Sequence, residues 1–162
     1  MKKVNLTPEF YEQLVNDVYD YCKRNYENED GEKYVTMSVC LSIGDYEVEL
    51  DAEVESEFVD ESFDHAFGTW HDPMAGWAFG SVYDVNNVHV YDADGEVEGF
   101  SKDGFTLTEY KGFKAGDEVT IKYTQSGKVY KVVSYDLFSE QFCLTDGEKN
   151  VFHSLTFVKK AA

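Results

Sequence analysis

Residues Tyr34–Glu55 read YVTMSVCLSIGDYEVELDAEVE, and this stretch decides the fold. Val35, Met37, Val39, Leu41 and Ile43 alternate with Tyr34, Thr36, Ser38, Cys40 and Ser42, which is the period of a strand buried on one face. After Gly44-Asp45 the period resumes, with Tyr46, Val48, Leu50, Ala52 and Val54 alternating with Glu47, Glu49, Asp51, Glu53 and Glu55. A glycine at the first central position suits a two-residue type II′ turn. That turn sets Ile43 opposite Tyr46, Leu41 opposite Val48, Val39 opposite Leu50, Met37 opposite Ala52 and Val35 opposite Val54, so every apolar residue meets an apolar one. The register predicts a hairpin with one apolar face and one acidic face.

On the acidic face the row Glu47, Glu49, Asp51, Glu53, Glu55, with Glu57 beyond it, stands opposite Ser42, Cys40, Ser38, Thr36 and Tyr34. No lysine or arginine lies among these partners. Alternate side chains on a strand recur every ~6.8 Å, a spacing comparable with a row of nucleic-acid phosphates. A solvated sheet face needs no partner, but like charges in a row cost stability, and the arrangement invites a functional explanation.

Outward from the hairpin, Thr7-Pro8 has the form of an N-cap followed by proline at the first helical position. Phe10, Leu14 and Val18, with Tyr11, Val15 and Cys22, keep helical spacing to about Asn25, where NYENEDGE (residues 25–32) breaks it. Residues 81–100, SVYDVNNVHVYDADGEVEGF, read as a strand interrupted at Asn86-Asn87 and then a hairpin around Asp94-Gly95. DADGE lacks the distal bidentate glutamate of a calcium loop and reads as a turn. Phe105–Tyr110 reads as a further strand. The expected first domain, residues 1–109, is a helix packed on an antiparallel sheet of four or five strands, an α+β fold.

The charge profile marks a second part. The formal net charge is −18, and residues 1–109 carry 26 acidic against 6 basic residues, whereas residues 110–162 carry 6 against 8. Short strands are expected at 119–124, 128–135, 140–145 and 150–158. GDEV (residues 116–119) followed by closely spaced hairpins resembles the SH3-like small barrels, including KOW-type modules, over about fifty residues. The resemblance implies a small SH3-like β-barrel domain at 110–162, of a kind that binds peptides, RNA or protein surfaces, with no binding motif carried over residue by residue.

Length and composition set the remaining bounds. At 162 residues and 43% hydrophobic, with twelve Phe, twelve Tyr and two Trp, the chain can bury one sizeable core or two small ones. Cys22, Cys40 and Cys143 are odd in number and far apart, which fits free thiols in a reducing compartment. No apolar run is long enough for a membrane span and MKKVNLTPEF has no signal-peptide core, so a cytoplasmic location is expected.

Candidate sites are few. GTWHDPMAGWAFG (residues 68–80) offers Trp70, His71, Asp72 and Trp77 as a ligand loop, and Asp64, His65, His71 and Asp72 as donors to a cation. The glycine-broken spacing argues against a ready-made metal site, and the tryptophans read first as anchors. The expected register of the last hairpin, Thr145 opposite Asn150, points Cys143 and His153 to opposite faces and so breaks up a nucleophilic pair. No Gly-x-Ser-x-Gly elbow, phosphate loop or HExxH is present. The expectation is therefore a non-enzymatic interaction protein without cofactor or metal. Its acidic face would bind a basic protein surface, such as that of a nucleic-acid-binding protein, and would repel nucleic acid and anionic membrane. In size, acidity and lack of catalytic motifs it is similar to proteins, often encoded on phage and mobile elements, that block restriction and other defence enzymes by DNA mimicry. The alternative is a ligand- or cation-binding module built on the Trp70–Trp77 loop.

Overall fold

The structure, a computed structural model, describes residues 1–59, 63–65, 68–70 and 76–161, with residues 63–65 and 68–70 given as backbone. The fold is α+β, and the chain divides into two compact units. One comprises Met1–Asn5 with Gln13–Phe100, the other Leu6–Glu12 with Ser101–Ala162. Residues 101–109, which the charge profile groups with the acidic part, thus cluster with the second unit.

Strand β1 (Lys2–Lys3) is followed by α1 (Pro8–Asn25), which belongs to the first unit from Gln13 onward, and then by β2 (Tyr34–Ile43) and β3 (Tyr46–Val59) of that unit. A short hairpin, β4 (Phe63–His65) with β5 (Gly68–Trp70), precedes β6 (Gly76–Asp92) and β7 (Gly95–Glu98). The five-stranded sheet has the order β1-β7-β6-β3-β2, antiparallel except where β1 joins β7. Helix α1 starts where expected, with the Thr7 hydroxyl accepting the Phe10 N–H at 3.2 Å. The β2–β3 register is the one deduced from the alternation, from Ile43 opposite Tyr46 to Tyr34 opposite Glu55. Gly44 at the turn has φ +58°.

Leu14, Val18 and Cys22 of α1 are fully buried, as are Ala52 and Val54 of β3, while Val39, Val48 and Leu50 are nearly so. Each buried valine or leucine contributes about 1.5–3 kcal/mol. The neighbouring strand departs from the sequence reading. What reads as an interruption at Asn86-Asn87 is a bulge within one continuous 17-residue strand. Two further register shifts follow, opposite Glu53–Val54 and Glu55–Ser56. Each inserts one residue in β6, and Asn87 takes up the left-handed region at φ +51°. At the third shift Gly80 is obligatory, because a Cβ there would lie 2.6 Å from the Glu55 carbonyl oxygen.

The second unit contains β8 (Thr106–Leu107), β9 (Glu109–Tyr110), β10 (Phe113–Lys114), β11 (Glu118–Ile121), β12 (Val129–Asp136), β13 (Gln141–Thr145), β14 (Asn150–His153) and β15 (Val158–Lys160). Strand order is β14-β13-β12-β11-β15, and a single 3-10 turn, Leu155–Phe157, leads into β15. Two expectations are corrected here. The expected strand at 105–110 is split: β8 pairs with β12, and β9 forms a separate hairpin with β10. The expected strand at 150–158 is broken by the 3-10 turn, after which β15 returns to β11. No sheet of the described residues closes into a barrel. Phe142 is fully buried, and Tyr110 stacks on Tyr135 at 3.8 Å with 7° between the rings. Gly104 lies against the Tyr11 ring, whose hydroxyl accepts the Ser101 N–H at 3.0 Å.

Two outcomes follow for stability. Gly80→Ala is expected to cost about 1–3 kcal/mol in denaturant unfolding, since the obstruction is backbone and cannot rotate away; an unchanged midpoint would refute the close approach. Burial pushes the Cys22 thiol up from its ordinary 9.0 to about 11. The folded thiol therefore holds its proton while the unfolded one ionises, and stability falls as pH rises from 9 towards 11. Cys22→Ala is expected to remove that part of the alkaline loss, read from urea midpoints across this range.

Candidate acidic interface

The alternation that buries Val48, Leu50, Ala52 and Val54 turns Glu47, Glu49, Asp51, Glu53 and Glu55 to the opposite face of β3, with β2 on one side and β6 on the other. Each carboxylate has a named partner, and most of these partners are neutral. The Ser42 hydroxyl donates to Glu47 at 2.7 Å, the Thr36 hydroxyl to Glu53 at 2.8 Å, and the Asn87 amide to Asp51 at 2.8 Å. Longer bonds run from Ser38 to Asp51 at 3.4 Å, from Asn86 to Glu53 at 3.3 Å and from Tyr91 to Glu49 at 3.5 Å. Among the described residues only Glu55 of this row meets a cation, Lys33, at 3.8 Å. Hydroxyl and amide donors hold a carboxylate in place without cancelling its charge, so the row is both ordered and negative.

The face continues onto β6 and β7. His89, opposite Glu49, bonds Glu96 through Nδ1 at 2.8 Å, and Asp84 stands opposite Glu53. Tyr34 and Tyr83 meet edge to face at 5.8 Å and remain 53% and 45% exposed, giving the acidic end of the sheet an aromatic flank. The Tyr83 hydroxyl is raised above its ordinary value by desolvation, then by the carboxylates of Glu53 and others nearby. Tyr91 is raised in the same way, by desolvation and then by Glu49 and Glu96. Both phenols therefore stay neutral donors on a face rich in acceptors.

The sequence reading missed the donors from β6. Asn86 and Asn87 read as a break in a valine-rich strand; the signal was present, since a polar pair inside a strand marks a bulge that re-aims its side chains. Glu57 extends the row on β3, opposite Ala78.

The other candidates are described only in part. His71 and Asp72 lie outside the described residues. Asp64, His65 and Trp70 are placed only as backbone in the β4–β5 hairpin, where Phe63 stands opposite Trp70. Trp77 is half-buried, edge-on to Phe58 at 5.5 Å, with Gly31 against its ring. Among the described residues no three histidine, cysteine or acidic side chains gather as metal ligands. Cys143 stands opposite Phe152 and His153 opposite Phe142, the register that points the thiol and imidazole to different faces. No helix of the described residues is long and apolar enough to cross a membrane.

No family model matches the chain, and no curated protein or solved structure is significantly similar to it.

Cys40 stands opposite Glu49 and is exposed, whereas Cys22 is buried. Cys40 is expected to react first with thiol reagents. An anionic disulfide reagent is expected to react several-fold more slowly than a neutral one at low salt, with the gap closing as salt screens the row. Equal rates for both reagents, insensitive to salt, would contradict a strongly negative face.

Proposed function

We propose that this chain is a non-enzymatic interaction protein whose acidic sheet face binds a basic surface of another protein by imitating the phosphate row of a nucleic acid. The observation that carries this reading is the run Glu47, Glu49, Asp51 and Glu53, in which carboxylates are fixed by serine, threonine, asparagine and tyrosine donors rather than neutralised by lysine or arginine, with Glu55 beside Lys33 at the end of the row. A face evolved only for solubility has no need of fixed carboxylates, since mobile ones solvate equally well. Preorganised charges lose little side-chain freedom on docking, which favours binding.

The second unit is read as an SH3-like module. Its support is the β11–β14 meander, the 3-10 turn at Leu155–Phe157 and the antiparallel return of β15 to β11. The free thiols at Cys22, Cys40 and Cys143 suit a reducing, cytoplasmic setting.

Immobilised protein is expected to retain a basic nucleic-acid-binding protein at low salt, to release it as salt rises, and to lose it to competing duplex DNA or RNA. Glu49→Lys with Glu53→Lys should weaken that complex at least about a hundredfold, two charge reversals at about 1.4 kcal/mol or more each. Val48, Leu50, Ala52 and Val54 on the buried face are untouched by the change. A folded double variant with undiminished affinity would remove the acidic face from consideration.

A further inference from the structure

We propose that the free edge of β2 is a self-association surface, where two copies of this chain join their sheets antiparallel across a two-fold axis. The edges of the described sheets are not alike. Lys2 and Lys3 make up the two-residue edge strand β1, Lys159 and Lys160 lie in the three-residue edge strand β15, and β14 is four residues long. Short strands and lysines are the usual protection of a sheet edge. Strand β2 has neither: its ten residues, YVTMSVCLSI, contain no charge, no proline and no glycine.

The hydrogen-bonding phase of that edge is fixed by the turn. Since Ile43 and Tyr46 close a two-residue loop, odd-numbered residues of β2 turn their backbone groups to β3, and Tyr34, Thr36, Ser38, Cys40 and Ser42 turn theirs outward. With Ser38 on the axis, Thr36 faces Cys40 of the second copy and Tyr34 faces Ser42, so outward groups meet outward groups. On the core side Val35 then meets Leu41 and Met37 meets Val39. Val35, Met37 and Leu41 are only half-buried within one chain, which leaves apolar surface for the second copy to cover.

The choice of a second copy, rather than a strand from another protein, rests on charge. Asp17, Asp20, Lys23 and Arg24 of α1 line an open hollow of about 440 Å³ together with Leu41 of β2. Tyr21 lines another, of about 310 Å³, beside Ser38, Val39 and Cys40. The flank of the helix therefore runs along the free edge, with Tyr21 beside the proposed axis. Its charges read acid, acid, base, base, and such a series complements itself only when two helices run antiparallel, which the two-fold imposes. Among the described residues no ion pair within the chain uses Asp20, Lys23 or Arg24. Nine paired residues give a seam of roughly 30 Å, and the helix flanks add the area needed to approach about 800 Å² per partner.

Sedimentation of the whole chain at rising concentration is expected to show a species of twice the 18.5 kDa chain mass. Ser38→Pro removes an outward N–H that β3 does not use, and should give a folded monomer. If that variant fails to fold, charge exchange decides: Asp17→Lys with Asp20→Lys, and separately Lys23→Glu with Arg24→Glu, should each dimerise at least tenfold more weakly alone, while the two mixed should form a heterodimer. A wild-type chain that stays at single mass at high concentration overturns the proposal, as does a dimer indifferent to both the proline and the charge exchange. Glu49→Lys with Glu53→Lys should leave the dimer intact, so loss of partner binding and loss of self-association are separate results.

Discussion

A one-residue slip between β2 and β3 would drive five carboxylates into the space that Leu14, Val18 and Cys22 fill, and the first unit would have no core. The constraint against that slip is local. Gly44 enters the left-handed region at φ +58° and closes the chain after two residues, so Ile43 must meet Tyr46 and every later pair is set. Burial enforces the same register independently, because Ala52 and Val54 are fully enclosed. Turn chemistry and hydrophobic pattern agree, which is why this hairpin can carry an acidic face at all.

Apart from Lys33 beside Glu55, the paired lysines among the described residues lie away from the acidic row. Lys2 pairs with Asp92 at 3.0 Å beside a turn, Lys128 with Asp146 at 2.7 Å, and Lys160 with Asp117 at 3.6 Å. At Asp146 the Lys128 ammonium and two backbone N–H groups hold the carboxyl well below the usual range. At Asp117 the Lys114 backbone N–H, then the Lys160 charge, act in the same direction. These pairs fasten turns and sheet edges. On the β3 face the same task of fixing a carboxylate falls to Ser42, Thr36 and Asn87, which donate without neutralising. Two classes of acid thus occur in one chain, one whose charge is locally cancelled and one whose charge is held in place and left outward.

What the sequence disclosed follows from the range of the interactions. The β2–β3 register, the Thr7 cap and the Cys143–Phe152 pairing all come from residues close in the chain, joined by short turns, and local alternation specifies them. The bulges of β6 are less legible, because each extra residue resets the alternation and Asn86-Asn87 then looks like a strand end. The return of β15 to β11 and the pairing of β8 with β12 join residues far apart in sequence, and no local pattern encodes them. The site shows the same division: the carboxylates were visible as a period of two, while half of their donors sit on β6, in a register that only the bulges explain.

Because β3 turns alternate residues to opposite faces, its two duties are separable. Val48, Leu50, Ala52 and Val54 answer for stability, and the acids between them bear charge without entering the core. Substitution along the acidic row can therefore reshape a binding surface while the packing of the sheet stays as it is, whereas a change at Val54 alters the fold before it alters any surface. The edge strand β2 shares this logic in a third direction. Its odd residues pack inward, its even side chains supply hydroxyl donors to the acids, and its even backbone groups face the free edge. One ten-residue strand thus links the core, the fixed charges and the only long uncharged edge among the described sheets, so the turn at Gly44 sets the phase of all three at once.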